Sequence, residues 1–234
     1  MQSERPQASY RAKLLHELAA LKPRRVLEVG CGIGAFLRSA VGLGAELHGI
    51  DPDESLLAAL RDEGFSVQRG RAERLEYPDH SFDAVVFSFT AHHIEDWRAA
   101  MREAMRVGRA VVVLDPWYET SIPSQSVAAR FDRWCKAIDR AAGMVHNDCM
   151  GAATLLEPVR DQLPVLDISI NHLLILQELG IEHMLELADE QLRNAEQQAQ
   201  WKSSLSTLVA EARLHGFSDD GAILLLVNRR SGAG

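Results

Sequence analysis

The spacing of apolar and polar positions changes several times along the chain, and each change marks an element. Leu14, Leu15, Leu18 and Leu21 recur at helical spacing, which predicts an amphipathic helix ahead of Pro23. Val26-Leu27-Glu28-Val29 is short, β-rich and followed by glycines, and residues 35–40 return to a helical pattern, giving strand, tight loop and helix. Residues 47–50 predict a second strand that stops at Asp51-Pro52. Asp53 is then placed to cap a helix carrying Leu56, Leu57 and Leu60, which Gly64 ends. Phe65 and Val67 alternate with polar residues as a third strand, and residues 84–87 are nearly all apolar, as a strand buried on both faces tends to be. Trp97, Met101, Ala104 and Met105 line one face of a helix that stops at Gly108, before the most hydrophobic strand at residues 110–114. Five strands alternating with helices predict a doubly wound α/β fold with a parallel sheet.

From Asp115 the rhythm changes. Residues 116–164 are rich in Ala, Arg and Asp and mostly helical in pattern, with Val127, Phe131, Trp134 and Ile138 on one stripe, and form a candidate lid. Residues 165–170 alternate for too short a stretch to decide between a strand and the start of a helix. Residues 189–200 are polar and helix-prone, Leu205, Leu208, Val209 and Ala212 rebuild an apolar stripe, and residues 222–227 make a last buried strand. The organisation expected is an N-terminal helix (1–22), a cofactor-binding core (23–115), a mainly helical insertion acting as lid or substrate-binding unit (116–185), and a C-terminal helix and strand completing the core (186–230). Ser231-Gly232-Ala233-Gly234 reads as a flexible tail.

At 234 residues the chain is in the range of one α/β domain with an insertion. A chain of this size buries about 70–75% of its extended surface, enough for a core without disulfides or structural metal. The 33 acidic residues outnumber the 25 basic ones, and the net charge of −8 works against a polyanionic backbone or an anionic membrane surface. The three cysteines, Cys31, Cys135 and Cys149, lack CxxC spacing, as expected in a reducing compartment. Residues 1–22 contain Glu4, Arg5, Arg11, Lys13 and Glu17 and lack the apolar centre of a signal peptide, and no apolar run approaches the ~20 residues of a membrane span. A cytoplasmic protein is expected.

The candidate chemistry begins at Gly30-Cys31-Gly32-Ile33-Gly34. Glycines at this strand-to-helix turn let backbone approach a ligand where a Cβ would collide, and present amide donors at the helix start. Gly30, Gly32 and Ala35 also satisfy a dinucleotide fingerprint, so the glycines alone serve two cofactors. Glu28 separates them: a carboxylate repels a pyrophosphate but suits the ammonium and sulfonium of S-adenosylmethionine.

Val26-Leu27-Glu28-Val29-Gly30-Cys31-Gly32-Ile33-Gly34 resembles motif I of the class I S-adenosylmethionine-dependent methyltransferases, of the type 11/25 kind, and further landmarks follow in order. The resemblance runs from Pro23 to Pro116, with a weaker echo in Leu214-His215-Gly216-Phe217-Ser218. It implies a mostly parallel seven-stranded sheet with helices on both faces and a helical insertion after the fifth strand. It implies further that Gly30 and Gly32, with Glu28 and Cys31 beside them, meet the methionine moiety, and that Asp51, followed by Pro52, accepts the ribose hydroxyls. Arg69-Gly70-Arg71-Ala72-Glu73-Arg74-Leu75 resembles the adenine-reading segment, but Arg71 stands where an acid is usual and cannot accept a hydrogen bond. Adenine recognition then falls to the Ala72 and Glu73 backbone. Asp83 resembles a residue that orders the sheet, and Ser88 and Phe89 lie over the site at the end of the fourth strand.

Methyl transfer from a sulfonium is an in-line displacement, which requires an aligned nucleophile and, for a hydroxyl or protonated amine, loss of a proton. His92 and His93, just after the fourth strand, are the candidate catalytic bases. By the same resemblance, many members of the family carry a His-His pair here that shapes the pocket or caps the next helix. Tyr10, Trp117, Tyr118, His146 and Asn147 are candidate substrate contacts. The spacing between the histidine pair and the segment around His146 is unconvincing for a metal site, and no metal is expected. Ser88-Phe89-Thr90-Ala91 lacks the Asp/Asn-Pro-Pro-aromatic motif of the family's base-amino methylases, so nucleic acid is not expected as a partner, and the net charge and lack of a spanning apolar run make a membrane partner unexpected too. The expected function is methyl transfer from S-adenosylmethionine to an O, N or C atom of a small molecule, by a monomer or homodimer. The alternatives are an NAD(P)-dependent oxidoreductase and a non-catalytic cofactor-binding protein of the same fold.

Overall fold

In the computed structural model residues 4–193, 195–196 and 198–230 are described, so the expected tail from Ser231 lies outside the described residues. The chain runs α1 (Glu4–Ala20), β1 (Arg25–Val29), α2 (Ala35–Ala40), β2 (Glu46–Asp51), α3 (Glu54–Asp62), β3 (Ser66–Arg69), β4 (Phe82–Ser88), α4 (Trp97–Val107) and β5 (Gly108–Trp117). Then come α5 (Pro123–Ala141), α6 (Ala152–Leu156), β6 (Leu166–Leu173), β7 (Glu178–Leu179), α7 (Ile181–Leu192), α8 (Gln198–His215), β8 (Phe217–Ser218) and β9 (Gly221–Arg229). Asp53 caps α3 as its position suggests, its side chain accepting from the Ser55 amide.

The seven-stranded sheet has the order β3-β2-β1-β4-β5-β9-β6. The first five strands are parallel, and β9 runs antiparallel between β5 and β6. The ambiguous residues 165–170 therefore open a strand, β6, which brings part of the 116–185 stretch into the central sheet. The rest of that stretch is α5, α6 and a 3-10 segment (Glu157–Val165). The strand order reverses between β1 and β4, and in an open α/β sheet the crevice at such a reversal, beyond the carboxyl ends of the strands, is where ligands bind. Asp83 fixes this junction from the other end, accepting the Arg24 and Arg25 amides at 2.8 and 3.1 Å.

Each face of the sheet has its own core. On one, Tyr10, Leu14 and Leu18 of α1 and Phe36 of α2 pack on Val86, Val112 and Leu224. On the other, α4 lays Trp97, Met101 and Met105 against Val85 and Val111, each large apolar side chain contributing about 1.5–3 kcal/mol by leaving water. The Trp97 indole donates to the Leu155 carbonyl at 3.1 Å and so pins α6 to α4. A third core joins α5, α7 and α8 through Phe131, Trp134, Met184 and Leu208, beside the β7–β8 ladder. This helical layer stands over the carboxyl end of the sheet because β5 leads directly into α5.

Candidate active site

The glycine loop leaves β1 with Gly30, Gly32 and Gly34 at φ of 71°, 49° and 81°, a region that L side chains rarely adopt. A Cβ on Gly30 would lie 2.2 Å from the Thr90 methyl, and one on Gly34 2.3 Å from Leu60. At Gly32 a Cβ would meet nothing within 4 Å, so this stretch of backbone faces open space. The expectation of free amide donors needs correcting. Gly30 and Cys31 both donate to the Ile50 carbonyl (2.8 and 2.9 Å), Gly32 to Asp51 Oδ2 (2.8 Å) and Gly34 to the Cys31 carbonyl (2.7 Å). A pyrophosphate needs such donors, whereas an ammonium needs acceptors.

An acceptor is present. Glu28 is 2% exposed, and its buried Oε2 has no hydrogen-bond partner among the described residues. Burial pushes its carboxyl well above the usual carboxylate range, against the opposing pull of a hydrogen bond with the Leu37 backbone. Burial likewise lifts the Cys31 thiol to about 12, which leaves it a neutral packing group. Asp51, at the tip of β2, receives the Gly32 amide on Oδ2 and the Asp53 amide, at 2.9 Å, on Oδ1.

Thr90 connects this loop to the histidines: its hydroxyl donates to the Gly30 carbonyl at 3.1 Å, and the next residues form the 3-10 turn Ala91–His93. Just before it, Phe89 sits at φ 55°, a strained conformation for an aromatic residue at the end of β4. His92 Nδ1 stands 2.8 Å from Asp115 Oδ1, and Asp115 is fully buried. His146, on the chain that leaves α5, places Nδ1 2.6 Å from Asp139, and His93 Nδ1 lies 3.3 Å from the Val145 carbonyl. The His93 ring centroid is 4.2 Å from that of His92 and 4.4 Å from that of His146. Burial and its two imidazole neighbours lower His93 to about 4, and burial lowers His146, so both rings are neutral near pH 7.

All three histidines line a cavity of about 710 Å³ between the sheet ends and the helical layer. Its far end is acidic. Lys136, fully buried, is 2.9 Å from Asp132 and 3.1 Å from the Cys149 sulfur. Beside them lie Asp219, whose Oδ2 is buried without a partner, and Asp220, whose carboxyl is raised to about 8 by burial and then by Asp219.

Residues 27–111 match the methyltransferase domain family. Over this stretch the chain is similar to that family. It is 33% identical over 90 residues to the uncharacterized methyltransferase YcgJ of Bacillus subtilis, a match covering 36% of each chain. It is 32% identical over 129 residues to the demethylmenaquinone methyltransferase of Staphylococcus aureus, covering 50% of this chain and 52% of that one. The matches thus span about half, or less, of the curated relatives' length. Among solved structures, a SAM-dependent methyltransferase from Archaeoglobus fulgidus shares the fold, with a TM-score of 0.59 and 18% identity over 95% of this chain and 94% of that one.

Within the matched region the other sequence-derived candidates fall in different places. Ser88 is half-buried and its carbonyl accepts from the Thr90 hydroxyl at 3.3 Å. Pro52 is exposed, and its carbonyl accepts from Arg69 Nε at 3.2 Å. Ala72 is buried in the core, whereas Glu73 turns its carboxylate to Arg71, 3.4 Å away. Arg71 is exposed and, among the described residues, pairs only at long range with Glu73 and Glu95, so it makes no buried contact there that would replace the usual acid.

Tyr118, Phe89 and His146 line the cavity, but Tyr10 and Trp117 do not. The Tyr10 hydroxyl donates to the Asp220 carbonyl (3.1 Å) and accepts from the Ile175 amide (3.0 Å), which makes it a buried latch. Trp117 packs against the core, with its ring tilted against that of His172 at 4.4 Å. Asn147 fastens its segment to the 3-10 turn, its amide donating to the His92 carbonyl at 2.7 Å and its side chain to the Ile94 carbonyl at 2.9 Å. Sequence reasoning missed Thr90, Asp115, Asp139 and the Asp132–Lys136 pair. The Asp219-Asp220 doublet ahead of an apolar strand was a visible signal.

Proposed function

We propose that this chain transfers a methyl group from S-adenosylmethionine to an O, N or C atom of a small acceptor held in the histidine-lined cavity. The observation that carries the reading is the unpartnered buried oxygen of Glu28, beside a loop whose amides at Gly30, Cys31, Gly32 and Gly34 are already committed. That donor set fits a cation and leaves a pyrophosphate poorly served, which favours this cofactor over NAD(P). Glu28 and the backbone around Gly30 and Gly32 would hold the methionine end, Asp51 the ribose, and the backbone at Ala72 and Glu73 the adenine. When bound, S-adenosylmethionine supplies a methyl group on a positively charged sulfur.

The chain's own residues then orient the acceptor and deal with its proton. The His92–Asp115 pair fixes the tautomer of His92, with the proton on Nδ1 toward the carboxylate and the lone pair on Nε2. Removal of the acceptor's proton falls to His92 and His93. Five carboxyl groups line the cavity, those of Asp132, Asp139, Glu190, Asp219 and Asp220, against the one lysine, Lys136. This lining suits a polar or cationic acceptor and opposes a polyanion, in line with a small-molecule partner. The segment between β5 and β6, with α7 and α8, acts as the acceptor-binding lid. No described helix is long and apolar enough to cross a membrane, and the free thiols Cys31, Cys135 and Cys149 fit a cytoplasmic setting.

Calorimetry tests the cofactor directly. S-adenosylmethionine is expected to bind, and Asp51→Ala to weaken it by about tenfold, which corresponds to about 1.4 kcal/mol. Binding of NAD with no binding of S-adenosylmethionine would sink the reading.

A further inference from the structure

His92, His93 and His146 share a feature that pocket shaping does not require. Each has its Nδ1 beside an acceptor: Asp115 at 2.8 Å, the Val145 carbonyl at 3.3 Å and Asp139 at 2.6 Å. Each ring therefore keeps its proton on Nδ1 and leaves Nε2 as a lone pair, for which the described residues provide no hydrogen-bond donor. One ring nitrogen from each histidine lies within 4.8 Å of the others. Ligand nitrogens on a tetrahedral zinc stand about 3.3 Å apart, given bonds of about 2.0–2.1 Å, so small ring movements complete the set.

The surrounding structure holds these rings in place. Asn147 ties the His146 segment to the His92 and Ile94 carbonyls, Arg140 donates to the His146 carbonyl at 2.6 Å, and Gln191 donates to the second oxygen of Asp139. Carboxylates behind two of the three imidazoles are the outer-shell arrangement that orients metal-binding histidines and raises their basicity.

We propose that His92, His93 and His146 bind one divalent transition-metal ion, zinc by ligand preference, with a coordination position open to the cavity for an oxygen of the acceptor. The proposal rests on the cavity being the acceptor's site and deepens that reading: the histidines act on the acceptor's proton through the ion. Three protein ligands with an open position is the arrangement of a reactive metal site rather than a structural one. A hydroxyl oxygen placed there has its O–H bond weakened. The proton leaves to water in the cavity, the electron pair stays on the oxygen, and a bound oxyanion results near neutral pH. The acceptor class is thereby narrowed to hydroxyl compounds, those with a second oxygen in chelating position above all.

The test uses the untagged full chain, stripped with chelator and titrated with Co²⁺ while its visible d–d bands are recorded. One ion per chain with tetrahedral-type bands is expected, and acetohydroxamate, an oxygen chelator, should shift those bands. His146→Gln should weaken binding more than about tenfold, and Asp139→Asn by about tenfold, as outer-shell changes do. Binding no greater than in the His92→Ala/His93→Ala/His146→Ala variant would overturn the site, and bands indifferent to acetohydroxamate would overturn the open position. Calorimetry with S-adenosylmethionine on the same samples separates the two claims: loss of cofactor binding refutes the methyl-transfer reading and leaves the metal result standing.

Discussion

The Thr90 side chain does two things to Gly30: its hydroxyl donates to the Gly30 carbonyl at 3.1 Å, and its methyl fills the place where a Gly30 side chain would begin. The glycine loop and the histidine turn are therefore one packed unit, although 60 residues separate them in sequence.

Gly30→Ala should strain both halves of that unit. The new methyl would meet Thr90 at 2.2 Å from a backbone at φ 71°. A loss of about 1–3 kcal/mol in denaturant unfolding is expected, together with weaker S-adenosylmethionine binding. Adding Thr90→Gly should recover part of the stability. No recovery would mean that the backbone conformation, not Thr90, imposes the glycine.

Glu28→Gln tests the buried carboxyl. Without ligand the variant should be at least as stable as the parent near pH 7, because burial already raises the pKa of this group and opposes its charge. Its affinity for S-adenosylmethionine should nevertheless fall by about tenfold or more, since an amide offers no charge to the ammonium. Unchanged affinity in calorimetry would remove Glu28 from the site.

Asp220 gives a pH dependence of stability. The unfolded chain releases this proton near 3.8, whereas the folded chain keeps it to about 8. Folding therefore takes up a proton between these values, and its contribution is complete below about pH 4 and lost as pH rises toward 8. Asp220→Asn should flatten the decline in unfolding free energy across that window, and an unchanged slope would contradict the buried, protonated carboxyl.

Tyr10→Phe separates latch from substrate contact. Removing the hydroxyl leaves the Asp220 carbonyl and the Ile175 amide without this partner, at an expected stability cost of about 1–2 kcal/mol. Once a substrate is known, its KM should not change.

The sheet was legible from β1 to β5 because the strands are short apolar runs, or in β3 an alternation around Val67, bounded by a glycine, a capping acid or a proline, and these signals are local. β6 was not. Its exposed and half-buried positions give only weak alternation, and it is a strand because β9 lies alongside it over eight residue pairs. The candidate glycine loop was readable for the same local reason, as a contiguous run from Glu28 to Gly34. The histidine cluster was not, since His146 is distant in sequence from His92 and His93 and is brought to them by tertiary contacts of its segment, Asn147 with the His92 and Ile94 carbonyls and Val145 with His93. Tyr10 shows the opposite error: an aromatic hydroxyl on an N-terminal helix suggested a substrate contact, yet its hydrogen bonds reach 165 and 210 residues away to hold the structure together.

The antiparallel placement of β9 between β5 and β6 has a kinetic consequence. β6 pairs with β9 alone, so the register of the sheet beyond β5 is not established until a strand that begins 48 residues after Leu173 has been added. Before then β6 is an unpaired edge, and slow, non-local pairing of this kind is where a folding chain is most exposed to association with other chains. Chains cut before Gly221 should therefore fail as aggregates and not as inactive monomers, even though every residue of the candidate site is still present.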